Sequence, residues 1–406
     1  VFQELYSWYL QSPEYRILVK KLTEASFSER PSDKIGKTVA KILYGEISPY
    51  SATRLERFAA CAFAHFLQYG LKVTERAEYE FRAMDMGNVM HMALEKFAAE
   101  VRKEGLDWAE LTEEERNRII DSCLDQVSAD YGNTILKSSA RNEYMIERTR
   151  RILRRTVWAL QEQLKHGAFR PEGFEVRFQG GRIDRVDIME EPENNRVYVK
   201  VIDYKTGNTS FDLLALYHGL QLQLMVYLDG ALQVEKRKYP DREIVPAGVF
   251  YYNVKDPMIQ EKIHADMESI NEQMLKKMKM NGLVQADDNM STKIDSTMAS
   301  IPVSLNRDGS FSKRSSVASR KQFDALGAYV RRKICDIRES ILDGNAAVEP
   351  YELGKKNACT YCPYLTVCGF DRKIPGYEFH RLSSIEEDAL WKKIMKGEEE
   401  NGSEMD

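Results

Sequence analysis

Two short segments limit the fold more than anything else in the chain: Gly180-Gly181-Arg182-Ile183-Asp184-Arg185-Val186-Asp187 and Val199-Lys200-Val201-Ile202-Asp203-Tyr204-Lys205-Thr206-Gly207. Both read as strands, and the second ends in a carboxylate and an ammonium on alternate residues. Side chains alternate along an extended chain, so Asp203 and Lys205 share one face while Tyr204 takes the other. The polar stretch Glu190-Glu191-Pro192-Glu193-Asn194-Asn195 reads as a turn between the two strands. A hairpin then brings Asp184 beside Asp203 and Lys205. Asp187 competes for the role of Asp184, but it falls on the opposite face unless a bulge intervenes. Two carboxylates beside a lysine suit a hard divalent cation and an activated water, the chemistry of phosphodiester cleavage. An isolated Asp-x-Lys is more often a solvated ion pair, so the surrounding motifs must carry the argument.

Residues 1–50 read as helical and connective, with a turn at Arg30-Pro31-Ser32-Asp33. The chain opens at Val1 inside an amphipathic pattern (Phe2, Leu5, Trp8, Tyr9), which is expected of a piece of a longer protein. Ser51 is a natural N-cap for a helix through Tyr69. A helix over 86–103 aligns Gly87, His91 and Glu95 on one face. Helices follow over 112–130 and 141–166, the latter arginine-rich. The β-rich core runs from Phe174 through Ile202, with Glu175 on a strand as a possible further acid. The largely apolar stretch from Tyr217 to Leu228 reads as a helix with Gln223 and Tyr227 one turn apart, and Ala247–Asn253 as a strand. Residues 256–300 read as helical and Met-rich, then as a mobile loop around Asp287-Asp288-Asn289 and Ser291-Thr292. A basic, hydroxyl-rich patch at Lys313-Arg314-Ser315-Ser316 precedes a long helix to about Leu342, and the tail from Lys393 reads as disordered.

A net charge of −4 gives no global sign of nucleic-acid binding, so any basic contact surface must be local. The chain has no apolar run long enough to span a membrane and no secretory signal pattern, which points to a cytoplasmic protein. In that compartment the cysteines are not expected to pair as disulfides. Four of the six form a pattern, Cys61 and then Cys359-x2-Cys362-x5-Cys368. Such a set can wrap one inorganic centre. A tetrahedral zinc site is the simpler alternative but more often pairs two Cys-x2-Cys arms; one distant plus three clustered thiols better suits a [4Fe–4S] cluster. Cys123 and Cys335 sit in helical patterns and read as buried thiols.

Taken together, from about Ser48 to Arg372, these motifs resemble the RecB-type PD-(D/E)xK nucleases. The cysteine layout is similar to that of the AddB-type family, the second subunits of bacterial helicase–nucleases that process double-strand DNA ends for recombinational repair. The resemblance implies an α/β fold: a restriction-endonuclease-like core of mixed β-sheet flanked by helices, with helical insertions and an Fe–S staple. It divides the chain into a helical connector from upstream domains (1–47), a nuclease domain closed by the four-Cys cluster (48–375) and a C-terminal helix with a charged tail (376–406). It implies catalytic roles for Asp184, Asp203 and Lys205, with Gln223 and Tyr227 bordering the site. Mg²⁺ would be held by His91, Asp184 and Asp203 with the carbonyl of Tyr204, and the [4Fe–4S] cluster by Cys61, Cys359, Cys362 and Cys368. The implied partners are the single-stranded end of an unwound DNA duplex and the AddA motor subunit, with the 5′-terminated strand as the one cut. Consistently, the chain holds no Gly-x4-Gly-Lys-Ser/Thr phosphate loop of its own. Two other readings are a non-catalytic Fe–S-stabilised module that binds DNA ends and a free-standing RecB-type exonuclease.

Overall fold

The computed structural model describes residues 2–26, 34–45, 51–76, 83–131, 139–259, 266–287, 289–374 and 376–402. The chain opens with helices α1 (Phe2–Gln11), α2 (Arg16–Ser26), α3 (Lys37–Tyr44), α4 (Ala52–Ala60), α5 (Ala62–His65), α6 (Ala83–Lys103), α7 (Glu113–Asp130) and α8 (Ala140–Lys165). Strands β1 (Arg170–Phe178), β2 (Gly181–Glu191) and β3 (Arg196–Lys205) follow, then α9 (Leu213–Tyr217), α10 (Gln223–Lys238) and β4 (Glu243–Asn253). Next come α11 (Met267–Lys277), β5 (Asn281–Gln285), α12 (Met290–Ile294), β6 (Val317–Ala318) and α13 (Arg320–Leu342). The chain closes with β7 (Tyr351–Leu353), β8 (Lys356–Asn357), α14 (Leu365–Cys368), β9 (His380–Arg381) and α15 (Glu387–Gly402).

These elements form two compact units, one from 1–48, 57–74 and 337–383, the other from 49–56, 75–336 and 384–406. The boundaries expected at 48 and 375 do not follow this division, because 48–375 supplies residues to both units. The smaller unit carries the three-stranded sheet β8-β7-β9 and the helices around Cys61.

The larger unit is built on a mixed six-stranded sheet in the order β1-β2-β3-β4-β5-β6. The pairs β1–β2, β2–β3 and β4–β5 are antiparallel; β3–β4 and β5–β6 are parallel. Only glycine readily adopts the backbone of the β1–β2 turn, where φ is +139° at Gly180 and +156° at Gly181. The β2–β3 turn closes with Asn195 in the left-handed region, a conformation asparagine tolerates. On one face of the sheet, Tyr198, Ile202, Tyr204 and Tyr252 join α6, α7 and α8 in a single apolar core. Helix α10 packs against β1–β4 and buries Leu224, Met225, Leu228 and Ala231. It lies so close that a Cβ on Gly230 would come within 2.4 Å of the Phe178 ring.

Several expectations are corrected. The helix through Tyr69 breaks at Cys61, which is extended (φ −167°) between α4 and α5. The helix expected over 217–228 is two helices, so Gln223 opens α10. Within 256–300 the structure has the strand β5, and Ser291 and Thr292 belong to α12: buried Leu283 and Val284 pair with β4, a long-range contact no local pattern reveals. The helix α15 runs through the tail expected to be disordered, because Leu390, Trp391 and Ile394 are buried. Cys335 is exposed, while Cys123 is buried. The turn at Arg30–Asp33 and residue Asp288 lie outside the described residues. Among those described, no helix is long and apolar enough to cross a membrane.

The arginines of α8 pair with acids. Arg150 bonds Asp125 at 2.6 Å, Arg154 bonds Asp121 at 2.9 Å, and Arg151 and Arg155 both reach Asp256. A second charge cluster lies inside the sheet. Asp187 sits opposite Lys200 across the hairpin, accepts from Arg185 at 2.6 and 2.9 Å and pairs with Lys200 at 3.0 Å, all three being buried. The Arg185 guanidinium also lies 5.0 Å from the Trp108 ring centroid. Burial alone would raise the pKa of Asp187, but Arg185 and Lys200 outweigh it and hold the carboxyl below its usual range. Replacing Asp187 with Ala leaves two buried cations facing each other and is expected to cost about 3–5 kcal/mol in urea unfolding. Because the folded pKa is depressed, the stabilisation by Asp187 is present above its unfolded value of about 3.9 and lost as pH falls through the folded value. Wild type and Asp187→Ala should therefore converge in acid.

Candidate active site

The hairpin register sets the site. Directly beyond the last paired residues, Arg185 and Ile202, Asp184 comes level with Asp203, and its Oδ2 accepts the backbone N–H of Tyr204 at 2.7 Å. Asp203 is 2% exposed at the end of β3, and its Oδ2 lies 2.6 Å from Lys205 Nζ. Lys205 Nζ also donates to Gln223 Oε1 at 2.8 Å, while Gln223 Nε2 donates to Asp203 Oδ1 at 3.1 Å and to the Tyr227 hydroxyl at 2.8 Å. Gln223 thus ties Asp203, Lys205 and Tyr227 into one network. Lys205 further stands 5.4 Å from the Tyr251 ring centroid.

Helix α6 delivers His91 to the same end of the hairpin. A Cβ on Gly87 would sit 3.2 Å from Thr206 Oγ1, so a small residue there lets the helix approach the end of β3. One turn later His91 Nδ1 lies 3.4 Å from Asp184 Oδ2. Glu175, held on β1 in the left-handed region (φ +50°), completes a group with His91 and Asp184 whose ligand atoms lie within 4.8 Å of one another. Glu175 thus stands where the sequence placed Asp203 among the metal ligands. Asp203 itself is engaged by Lys205 and Gln223. Glu95 stays exposed, and Asp187 lies on the opposite strand face with Arg185. Arg182 pairs with Glu175, so both arginines flanking Asp184 are partnered by acids.

The electrostatics are those of crowded acids. Burial and the nearby Asp184 push Glu175 up to about 7 against the pull of Arg182. The same two causes raise Asp203 well above the carboxylate range despite Lys205. Burial lowers His91, but Asp184, Asp203 and Glu175 outweigh it and leave the imidazole raised. Carboxylate oxygens that repel one another around a single point fit a hard divalent cation, which takes oxygen ligands and removes that repulsion.

One residue escaped the sequence reading. Glu56, near the end of α4, accepts the backbone N–H groups of Leu222 and Gln223 at 2.6 and 2.9 Å, capping the start of α10 from a distant part of the chain. Burial lifts it to about 7, although these two bonds pull it down. Nothing local marks a helix acid as the cap of another helix 166 residues away.

In the smaller unit, Cys61, Cys359, Cys362 and Cys368 line one cavity together with Ala64, Tyr364 and Phe370. The extended break at Cys61 turns that residue out of the helix, and Asn357 Oδ1 accepts the Cys359 N–H at 3.0 Å to shape the loop. Cys368 Sγ accepts the N–H of Phe370 at 3.4 Å. Burial and the other three cysteines push Cys359 up to about 12. Thiols that hinder one another's ionisation fit a cationic centre that thiolates can share.

A nuclease family model covers this architecture from residue 49 to residue 369, and the chain belongs to the PD-(D/E)XK nuclease superfamily. It is 40% identical to a subunit of the ATP-dependent helicase/deoxyribonuclease of Lachnoclostridium phytofermentans and 35% identical to the corresponding subunit of Alkaliphilus metalliredigens. These alignments cover 98% and 97% of the chain and 36% of each relative, so the chain spans about a third of their length.

Replacing Glu56 with Ala removes the acceptor shared by Leu222 and Gln223, at about 1 kcal/mol for a lost cap. With Gln223 loosened, Lys205 loses an oxygen that fixes it, and cleavage of single-stranded DNA should fall ten- to a hundredfold. Glu56→Gln keeps the carbonyl acceptor and should restore most of both. Equal loss in the two variants, measured by initial rates and chemical denaturation, would show that the charge and not the cap matters.

Proposed function

We propose that this chain is the nuclease region of a helicase–nuclease subunit, hydrolysing DNA in a divalent-metal-dependent reaction with Mg²⁺ as the working ion. The observation that carries the reading is the convergence of Asp184, Asp203, Lys205 and Gln223 at one strand end, with His91 and Glu175 beside Asp184. Asp184, His91 and Glu175 are the groups to hold the ion, with Asp203 next to them. Bound there, the ion supplies charge neutralisation of the scissile phosphate and a lowered pKa for water. Lys205 orients the attacking water and offsets charge developing on the phosphate. Gln223 keeps Lys205 and Asp203 in register, and Tyr227 fixes the amide of Gln223. The substrate is a single strand at an unwound DNA end, attacked as an exonuclease. The relatives' name, which makes each a helicase/deoxyribonuclease subunit, supports an AddA-type motor subunit as partner and the 5′-terminated strand as target.

The four cysteines are read as ligands of a [4Fe–4S] cluster that braces the smaller unit. Among the described residues, the set of three or more metal-type ligand atoms within 4.8 Å of one another is His91, Glu175 and Asp184. The cysteine sulfurs therefore stand wider than the roughly 3.8 Å separation that follows from four Zn–S bonds of about 2.3 Å. That spacing favours a polynuclear centre over a single zinc ion.

Asp203→Ala and Lys205→Ala should each lower Mg²⁺-dependent cleavage of single-stranded DNA by several orders of magnitude while circular dichroism stays that of the wild type. Retained activity in both would reject the site. Anaerobically purified protein should be brown, with about four irons per chain. Ser at Cys61, Cys359, Cys362 or Cys368 should remove the colour and lower the melting temperature; Ser at Cys123 or Cys335 should leave the colour intact.

A further inference from the structure

A second site lies beside the acidic centre, in the larger unit. It is a cavity of about 660 Å³ whose lining includes Lys255, Lys276, Lys277, Lys279 and Arg314 and no acidic side chain. Its wall begins at Asn208, within about 11 Å of chain reach from Lys205. Val254, next to Lys255, donates its N–H to the carbonyl of Lys205 at 2.7 Å, so the cavity opens where the strand that carries Lys205 ends.

The wall is built rather than loose. The side chain of Asn253 accepts the Thr209 N–H at 3.1 Å and donates to its carbonyl at 3.0 Å, and Asn281 accepts the N–H of Phe211. Two strand ends thereby pin the segment that follows Lys205. The cations are poorly neutralised. Lys276 pairs with Glu272 at 3.4 Å, both 65% exposed, a contact worth little in water. Lys277 bonds the carbonyl of Met258, which leaves its charge uncompensated. Among the described residues Lys255, Lys279 and Arg314 have no carboxylate within 4.0 Å. Burial draws the pKa of Lys279 down, with only Asp295 opposing. Hydroxyl donors at Ser210 and Ser304 complete a lining suited to phosphate oxygens.

We propose that this cavity binds the phosphate backbone of one DNA strand, holding the nucleotides adjacent to the bond being cut. The inference rests on the nuclease reading and deepens it by locating the substrate's path. The cavity exceeds what one inorganic phosphate fills. No aromatic side chain lines it, so it offers no base-stacking platform and grips DNA without regard to sequence. A cationic track next to crowded acids also resolves a conflict, because the acids by themselves repel the polyanion they must cleave.

The test uses fluorescence anisotropy of a labelled oligothymidylate and of a mixed-sequence oligonucleotide, on the Lys205→Ala background that keeps the DNA intact. The combined variant Lys255→Gln, Lys279→Gln, Arg314→Gln is compared with a charge-matched control, Lys103→Gln, Arg118→Gln, Lys165→Gln, on α6, α7 and α8. The groove variant should bind both oligonucleotides at least tenfold more weakly at low salt. Its slope of log affinity against log salt should be shallower by about 2, near 0.7 for each lost phosphate contact. The control should keep both affinity and slope. Groove-variant binding indistinguishable from the control, in protein with an unchanged melting temperature, overturns the assignment; so does a loss confined to one of the two sequences. Failure of the wild type to cleave single-stranded DNA with Mg²⁺ tells against the nuclease reading instead, and binding alone then judges the groove.

Discussion

The antiparallel pairing of β2 with β3 is the constraint on which the rest depends. A strand places alternate residues on opposite faces, so one register choice assigns every side chain of the hairpin at once. With Asp187 opposite Lys200, the residues Arg185, Asp187 and Lys200 fall on one face and neutralise one another there. The same choice puts Asp184, Asp203 and Lys205 on the other face at the strand end. A slip by one residue would bury Asp184 without a partner and break the charge cluster. The buried ions therefore act as a register lock: their contribution to specificity exceeds their contribution to net stability, as buried charges generally offset attraction with desolvation.

The site built on that register is in tension. Asp184, Asp203 and Glu175 crowd one another, and the burial that gives a nuclease centre its low dielectric raises the cost of their charge. Lys205 offsets part of it at Asp203, but the group around His91, Glu175 and Asp184 is left for a cation. Gln223 acts as the hub because an amide can donate to Asp203 and Tyr227 while accepting from Lys205. Its own position is decided by Glu56, which holds the first turn of α10. Catalytic geometry is thus supported by a residue that touches no reacting atom.

The cysteine site follows a different logic. Three of its thiols come from one loop, whose shape is set by local bonds such as Asn357 to Cys359. The fourth, Cys61, is presented by an interruption between two helices. An inorganic centre shared by these segments would add covalent links where the smaller unit has only short strands and short helices to hold it.

Much of this was legible in the sequence because it is short-range. The alternation in Ile202–Lys205, the polar turn before it, the one-turn spacing of Gly87, His91 and Gln223, Tyr227, and the spacing of Cys359, Cys362 and Cys368 are all consequences of local backbone geometry. They suffice for the hairpin, the opposite faces of Asp184 and Asp187, and the grouping of the candidate residues. What only the tertiary structure decided are meetings of distant segments. Glu175 joins His91 through a left-handed kink on β1, Glu56 caps a helix far along the chain, and the cations from Lys255 to Arg314 gather around one cavity. Residues 281–285 read as part of a helical, Met-rich run and became strand β5 because the edge of β4 offered them partners. Propensity is a local bias of tenths of a kcal/mol per residue, and burial against a sheet edge outweighs it.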